Sequence, residues 1–303
     1  MTKTTIKRRN KIQMFDVINV TLVFLITALM MYPLYFCVVA SFSNPNQVAL
    51  GRTLLWIQDF TLDIYKFVIE EEQLWIGYRN SIVYTILGTL WSLVLTIPAA
   101  YVLTKKYLPF RNIISWYFFL TMYVSGGMIP GYLLRKSLNL VDNPLVLIID
   151  AGVSCYNMIV TRQYFSSNIP DALYEAAYID GATEGQCFAK IAMPLAKPII
   201  AVMALYYGVG NWNSYYTALI YIRDKNYFPL QLVLRNILIN NQLALSNMDN
   251  LEAGAIEYLV YRARMAEGMK YAIVFIASAP LLIAYPFVQK YFAKGVMIGG
   301  VKG

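Results

Sequence analysis

The sequence is dominated by apolar stretches of the length a bilayer requires. A helix needs about 20 mostly apolar residues to cross the hydrocarbon core. Six segments approach this: 17–39, 81–103, 113–134, 145–159, 199–220 and 271–285. The fourth and sixth are short because Asp150 and Pro286 interrupt them, and the fifth is rich in Asn, Tyr and Gly. The expected fold class is an all-α polytopic membrane protein with six transmembrane helices.

Composition agrees and removes other classes. Hydrophobic residues make up 58% of the chain and charged residues 14%, whereas soluble domains carry about 25% charged residues. Disorder, a coiled coil and a nucleic-acid-binding domain fit this mixture poorly. Histidine, the commonest general base and metal ligand, is absent. Cys37, Cys155 and Cys187 lie far apart, so neither a disulfide framework nor a zinc site is indicated. No nucleophile–base pair stands out, so a membrane enzyme is the least favoured class.

Charge gives the orientation. The basic stretch Lys3, Lys7, Arg8, Arg9, Lys11 precedes an apolar segment too long for a signal peptide, with no clear small-x-small cleavage site after it. It reads as a cytoplasmic tail before a retained span. Six spans then place 1–16, 104–112, 160–198 and 290–303 inside. These segments hold 14 basic and 5 acidic residues, a net +9, against a whole-chain charge of +8. The outside is left near neutral, as the positive-inside rule requires. The expected organisation is a tail at 1–16, a six-span domain at 17–289 containing a cytoplasmic loop at 162–198, and a tail at 290–303. The larger outer loops are 41–77, with Glu70, Glu71 and Glu72 before Trp75, and 223–268, with the mixed stretch 240–264.

The loop at 162–198 is too polar for a span and too patterned for a linker. Pro170-Asp171 suits a helix start, and a helix is expected over 172–179. Ala176 and Ala177 add little bulk and permit close approach to another surface. Gly181 allows a tight turn. A second helix is expected from Thr183 to about Ala192, with Pro194 stopping it and turning the chain into the fifth span. A helix–turn–helix fixed to two spans suits coupling a cytosolic motor to a pore. It also suits a packed structural loop, and the residues alone leave both readings open.

The stretch Glu175-Ala176-Ala177, with Gly181 four positions on and then Ile191-x-x-Pro194, resembles the cytoplasmic EAA loop of type I ATP-binding-cassette importer permeases. Its form, "EAAYIDGA…F…I…MP", is similar to the carbohydrate-uptake class. The resemblance extends over nearly all of the chain. It implies that the helix carrying Glu175, Ala176 and Ala177 docks in a cleft of an ATPase subunit, that Gly181 permits the turn, and that Asp180 either caps the second helix or contacts the ATPase. It also implies a bacterial plasma-membrane assembly of two related permeases, two cytosolic ATPases and an extracellular solute-binding protein, with a carbohydrate substrate and no nucleic acid. ATP and Mg would belong to the ATPase subunits. No cofactor is expected on this chain, which lacks the G-x-x-x-x-G-K-[S/T] phosphate loop.

Polar residues within apolar segments mark a candidate substrate pathway: Asn157, and the group Asn211-Trp212-Asn213 with Tyr215. An Asn at membrane depth needs a partner and faces the bundle or a cavity. Asn suits sugar hydroxyls, and Trp or Tyr suits the apolar face of a sugar ring. Interhelical hydrogen bonding and an interfacial aromatic belt are the alternative reading of the same residues. Gly126, Gly127 and Pro130 interrupt the third segment. The leading expectation is a sugar or oligosaccharide permease. Importers of amino acids, peptides or other small solutes, and a secondary transporter, are the alternatives.

Overall fold

A computed structural model describes residues 14–246, 260, 264–265, 268–283, 286 and 289. Much of the N-terminal tail, the C-terminal tail and most of the 240–264 stretch lie outside the described residues. Regular structure among the described residues is entirely helical. The chain divides into two compact units, one of residues 1–68 with 244–275 and one of 69–243 with 276–303.

The first unit is built on α1, Met14–Ser41, a helix of 28 residues. At 1.5 Å per residue it is about 42 Å long, enough to cross a bilayer. Most of its large apolar side chains from Met14 to Tyr35 are exposed. An apolar surface of this extent is suited to lipid or to another apolar helix. After α1 the chain folds back on itself: the Gln58 amide donates to Ser43 Oγ (3.1 Å) and the Tyr65 hydroxyl to Ser41 Oγ (2.9 Å). Ile64 and Val68 are fully buried.

The spine of the second unit is α2, Glu72–Val102, with 31 residues. Its N-terminal half holds the 226–230 segment. Asn80 Nδ2 donates to the carbonyls of Asn226 (2.7 Å) and Phe228 (3.1 Å), and Ser81 Oγ accepts from the Leu230 amide (2.8 Å). Its C-terminal half packs in a core with residues such as Met158, Phe165, Met203 and Tyr207. These come from α5, Cys155–Asn168, and α7, Lys197–Trp212.

The intervening apolar segments are broken rather than continuous. The third expected span is α3, Arg111–Leu120, and α4, Met128–Ser137, separated by the non-helical residues 121–127, which end at Gly127, whose φ of +83° suits glycine. The fourth is a short helix Leu145–Ile149, a turn through Gly152 (φ +29°), and α5, N-capped by Ser154. The fifth divides after α7 and resumes at α8, Tyr216–Tyr221. In place of the sixth, an apolar helix covers Gly268–Ile283. Only α1 and α2 among the described residues are single helices long and apolar enough to cross a membrane, and the bent pair Glu184–Leu195 and Lys197–Trp212 adds a third if read as one span. The chain is an all-α, multi-pass membrane protein.

Candidate functional site

The segment after α5 forms the expected helix–turn–helix. Ile169 and Pro170 are extended, and α6 follows as Asp171–Ile179. Pro170 lacks the amide that a helix start leaves unpaired, and Asp171 lies at the positive end of the dipole. The helix ends in a Schellman motif. The Ala182 amide donates to the Ala177 carbonyl (2.8 Å) and the Gly181 amide to the Tyr178 carbonyl (3.0 Å), with Gly181 at φ +79°. The next helix begins with a reciprocal capping box: Thr183 Oγ1 accepts from the Gln186 amide, and Gln186 Oε1 accepts from the Thr183 amide. Thr183 therefore fills the capping position considered for Asp180, which instead closes α6.

Pro194 does not stop this second helix. The chain is π-helical over Cys187–Ala192 and helical again through Leu195, and the 77° bend into α7 falls at Ala196. A proline ring crowds the carbonyl four residues back and supplies no amide hydrogen. The widened π-turn lies just upstream, and the chain passes through Pro194 while still helical. The bend falls where Pro198, in the first turn of α7, can start a new helix without a missing bond.

The motif residues divide by exposure. Glu175, Ala176, Asp180, Gly181 and Pro194 are exposed, whereas Ala177 is half-buried against the core. Leu173 and Ile179 are also exposed, Ile179 at 86%. The helix therefore presents Leu173, Ala176 and Ile179 outward beside Glu175. Its opposite face buries Tyr174. A groove of about 310 Å³ runs beside it, lined in part by Lys105, Lys106, Asp171, Tyr174, Glu175 and Tyr178. The Lys106–Asp171 ion pair at 3.2 Å is exposed and contributes little.

Sequence reasoning missed the polar centre behind α6. Glu184 accepts hydrogen bonds from the hydroxyls of Tyr101 (3.0 Å), Tyr107 and Tyr178. Lys105, only 9% exposed, places its ammonium 3.8 Å from Glu184 Oε2 and 3.7 Å from the centre of the Tyr174 ring. Burial alone would raise the Glu184 carboxyl, but the three hydroxyls and Lys105 outweigh it and hold it below its ordinary value. Burial and the nearby Glu184 charge raise the Tyr107 and Tyr178 hydroxyls, and burial pushes Tyr174 up to about 12. The cluster thus holds a carboxylate and neutral phenols at neutral pH. The sequence offered one signal, the pair Tyr174 and Tyr178 on one helix face with Glu184 soon after, but Tyr101, Lys105 and Tyr107 lie far earlier along the chain.

The pathway residues also divide. Asn157 is buried in the first turn of α5. Asn211 Nδ2 donates to Thr89 Oγ1 (3.4 Å) on α2. Trp212 is buried, donates from Nε1 to the Ala277 carbonyl (2.9 Å), and meets Tyr78 edge-on at 5.7 Å. Asn213 is exposed, with Nδ2 on the Val209 carbonyl (3.0 Å), and Tyr215 is exposed at 40%. Two helix breaks lie in the same neighbourhood. A Cβ placed on Gly88 would meet both Asn211 and Ala151, and Thr217 Oγ1 donates to Asp150 Oδ2 (3.2 Å). Asp150 also pairs with Arg135, whose guanidinium lies 5.0 Å from the Tyr221 ring.

Residues 74–298 match the family described as "Binding-protein-dependent transport system inner membrane component". The chain belongs to that family. It is 37% identical to the protein LplC of Bacillus subtilis, with 96% of each chain covered. It is 33% identical to a polygalacturonan/rhamnogalacturonan transport system permease protein of the same organism, covering 97% of this chain and all of the relative. Among solved structures it resembles a chain from a bacterial ABC transporter involved in the import of the acidic polysaccharide alginate. That likeness has a TM-score of 0.81 and 30% identity, and it covers 95% of this chain and all of the other. The family is one of membrane components of transport systems, so this permease is not assigned the ATP-hydrolysing part.

Proposed function

We propose that this permease forms, with a second related permease, the membrane pathway of an ATP-driven importer for an oligosaccharide. An extracellular binding protein delivers the sugar, and two cytosolic ATPases drive the transport. The observation that carries this reading is the outward face of α6, where Leu173, Ala176 and Ile179 stand exposed beside Glu175 on a helix locked from behind. An apolar face with one carboxylate suits a protein cleft carrying a basic group. Likeness to permeases of polygalacturonan/rhamnogalacturonan and alginate systems supports the carbohydrate class.

In this reading the chain crosses the bacterial plasma membrane six times, with both termini and the 162–198 loop in the cytoplasm. The broken apolar segments count as single interrupted crossings. Helix α6 is the coupling helix, Glu175, Ala176 and Ala177 form its docking and packing faces, and Gly181 sets the turn. Asp180 stands at the rim of the docking surface, and Pro194 helps set the path into α7. Asn157, Asn213 and Tyr215 contribute polar and aromatic groups to the sugar pathway. Asn211 and Trp212 hold its wall through their interhelical bonds. Co-reconstitution of the permease pair with its ATPases and binding protein in proteoliposomes tests this. Oligosaccharide uptake that requires ATP and the binding protein is expected. Uptake by the permeases alone would identify a secondary transporter instead.

A further inference from the structure

We propose that Lys105 and Glu184 are positioning residues for this transport: with Tyr101, Tyr174 and Tyr178 they lock α6 to the C-terminal end of α2, so that a displacement imposed on α6 is delivered to a membrane-crossing helix. This rests on the reading of α6 as a coupling helix and adds where the force goes next.

Three separate stretches of chain meet at one ammonium and one carboxylate. Tyr101 belongs to the last turn of α2, and Lys105 follows it in the next turn of chain. Tyr174 and Tyr178 belong to α6. Glu184 starts the helix beyond the Gly181 turn. The Lys105 ammonium is held over the rings of Tyr174 (3.7 Å), Tyr101 (4.5 Å) and Tyr178 (5.9 Å), and is 3.4 Å from the Tyr178 hydroxyl. A buried cation is tolerated only while its partners stay in place. Sliding α6 by an ångström or two without α2 would remove two of the three rings and disturb the carboxylate's hydroxyl donors. The low-energy response is for α6 and the end of α2 to move together.

The contacts continue beyond the lock. Tyr101 packs edge-on against Phe165 of α5 at 5.8 Å. Farther along α2, Thr96 bonds the Tyr207 hydroxyl of α7 at 2.7 Å, and that hydroxyl accepts from the Ser154 amide at 3.1 Å. Ser154 caps the helix that carries Asn157. A shift of α2 is therefore felt by α7 and by the start of α5. A chain of contacts is not itself coupling, so the test must read coupling rather than folding.

The assembled complex of permeases, ATPases and binding protein is reconstituted in proteoliposomes, and sugar uptake and ATP hydrolysis are measured together. Lys105→Met removes the charge while keeping an apolar stem. The number of sugar molecules carried per ATP hydrolysed is expected to fall about tenfold, within the usual span of coupling effects. Lys105→Arg keeps the cation and stacks on aromatic faces, and it is expected to restore most of the ratio. Tyr178→Phe, which keeps the ring and removes one donor to Glu184, gives a smaller fall and serves if Lys105→Met fails to assemble. A purely structural role would lower uptake and hydrolysis together with the amount of complex and leave the ratio unchanged, and that result would overturn the lock. Absence of binding-protein-stimulated hydrolysis in the unmodified complex would instead overturn the transporter reading beneath it.

Discussion

Gly181 and Glu175 illustrate two ways in which one residue serves the same helix. Gly181 sits at φ +79°, and a Cβ there would meet nothing within 4 Å. Substitution therefore costs backbone strain and not packing. Gly181→Ala is expected to destabilise the turn by about 1–2 kcal/mol, and Gly181→Asn by less. Faster hydrogen exchange in α6 would register both, in that order. Glu175 is exposed, and in the proposed reading its role lies with a partner. Glu175→Lys is expected to leave membrane insertion intact while reducing co-purification of the ATPases, and undiminished co-purification would remove Glu175 from the docking surface. Glu184 adds a pH dependence. Its carboxyl is held below its ordinary value of 4.5, so its stabilisation is complete above that value and is lost as the pH falls through the depressed one. Exchange protection of α6 should stay flat through neutral pH and decline only in acid.

At the scale of elements, close contact between α2 and α7 depends on Gly88. A Cβ there would lie 2.9 Å from Asn211 Nδ2 and 3.4 Å from Ala151 Cβ. Gly88→Val is expected to cost about 1–3 kcal/mol by overpacking, read as a lowered Tm of the purified complex. Adding Asn211→Ala removes the obstructing amide and should recover part of the loss. Simple additivity of the two variants would separate these positions. This pairing also shows what the sequence made legible. The runs that became α1 and α2 were readable because no glycine turn interrupts them. The third and fourth apolar segments read as spans because hydropathy averages across Gly127 and Gly152, where the helices break. The turn at Gly181 was readable because its chemistry is local. The π-helical passage through Pro194 was not, because proline ordinarily signals a stop. Nor was the Lys105–Glu184 centre, whose members are brought together by packing and not by spacing.

At the scale of the molecule, the testable quantity is the parity of membrane crossings. The proposed six spans put three crossings between Trp56 and Gly185, so the two positions must face opposite sides. Trp56 is 74% exposed, and a Cβ on Gly185 meets nothing within 4 Å, so a cysteine at either position is open to reagent. In a background with Cys37, Cys155 and Cys187 replaced, Trp56→Cys is expected to react with a membrane-impermeant thiol reagent in intact cells. Gly185→Cys should react only after the membrane is opened. The break at Asn213 lies outside this interval and does not enter the count, whereas a re-entrant turn at Gly127 or Gly152 would remove one crossing and make the number even. Labelling of both from one side would mean an even number, and one of the broken segments would then enter and leave the membrane on the same face. Labelling of Gly185→Cys alone from outside would invert the chain, placing the exposed face of α6 where no cytosolic ATPase can reach it.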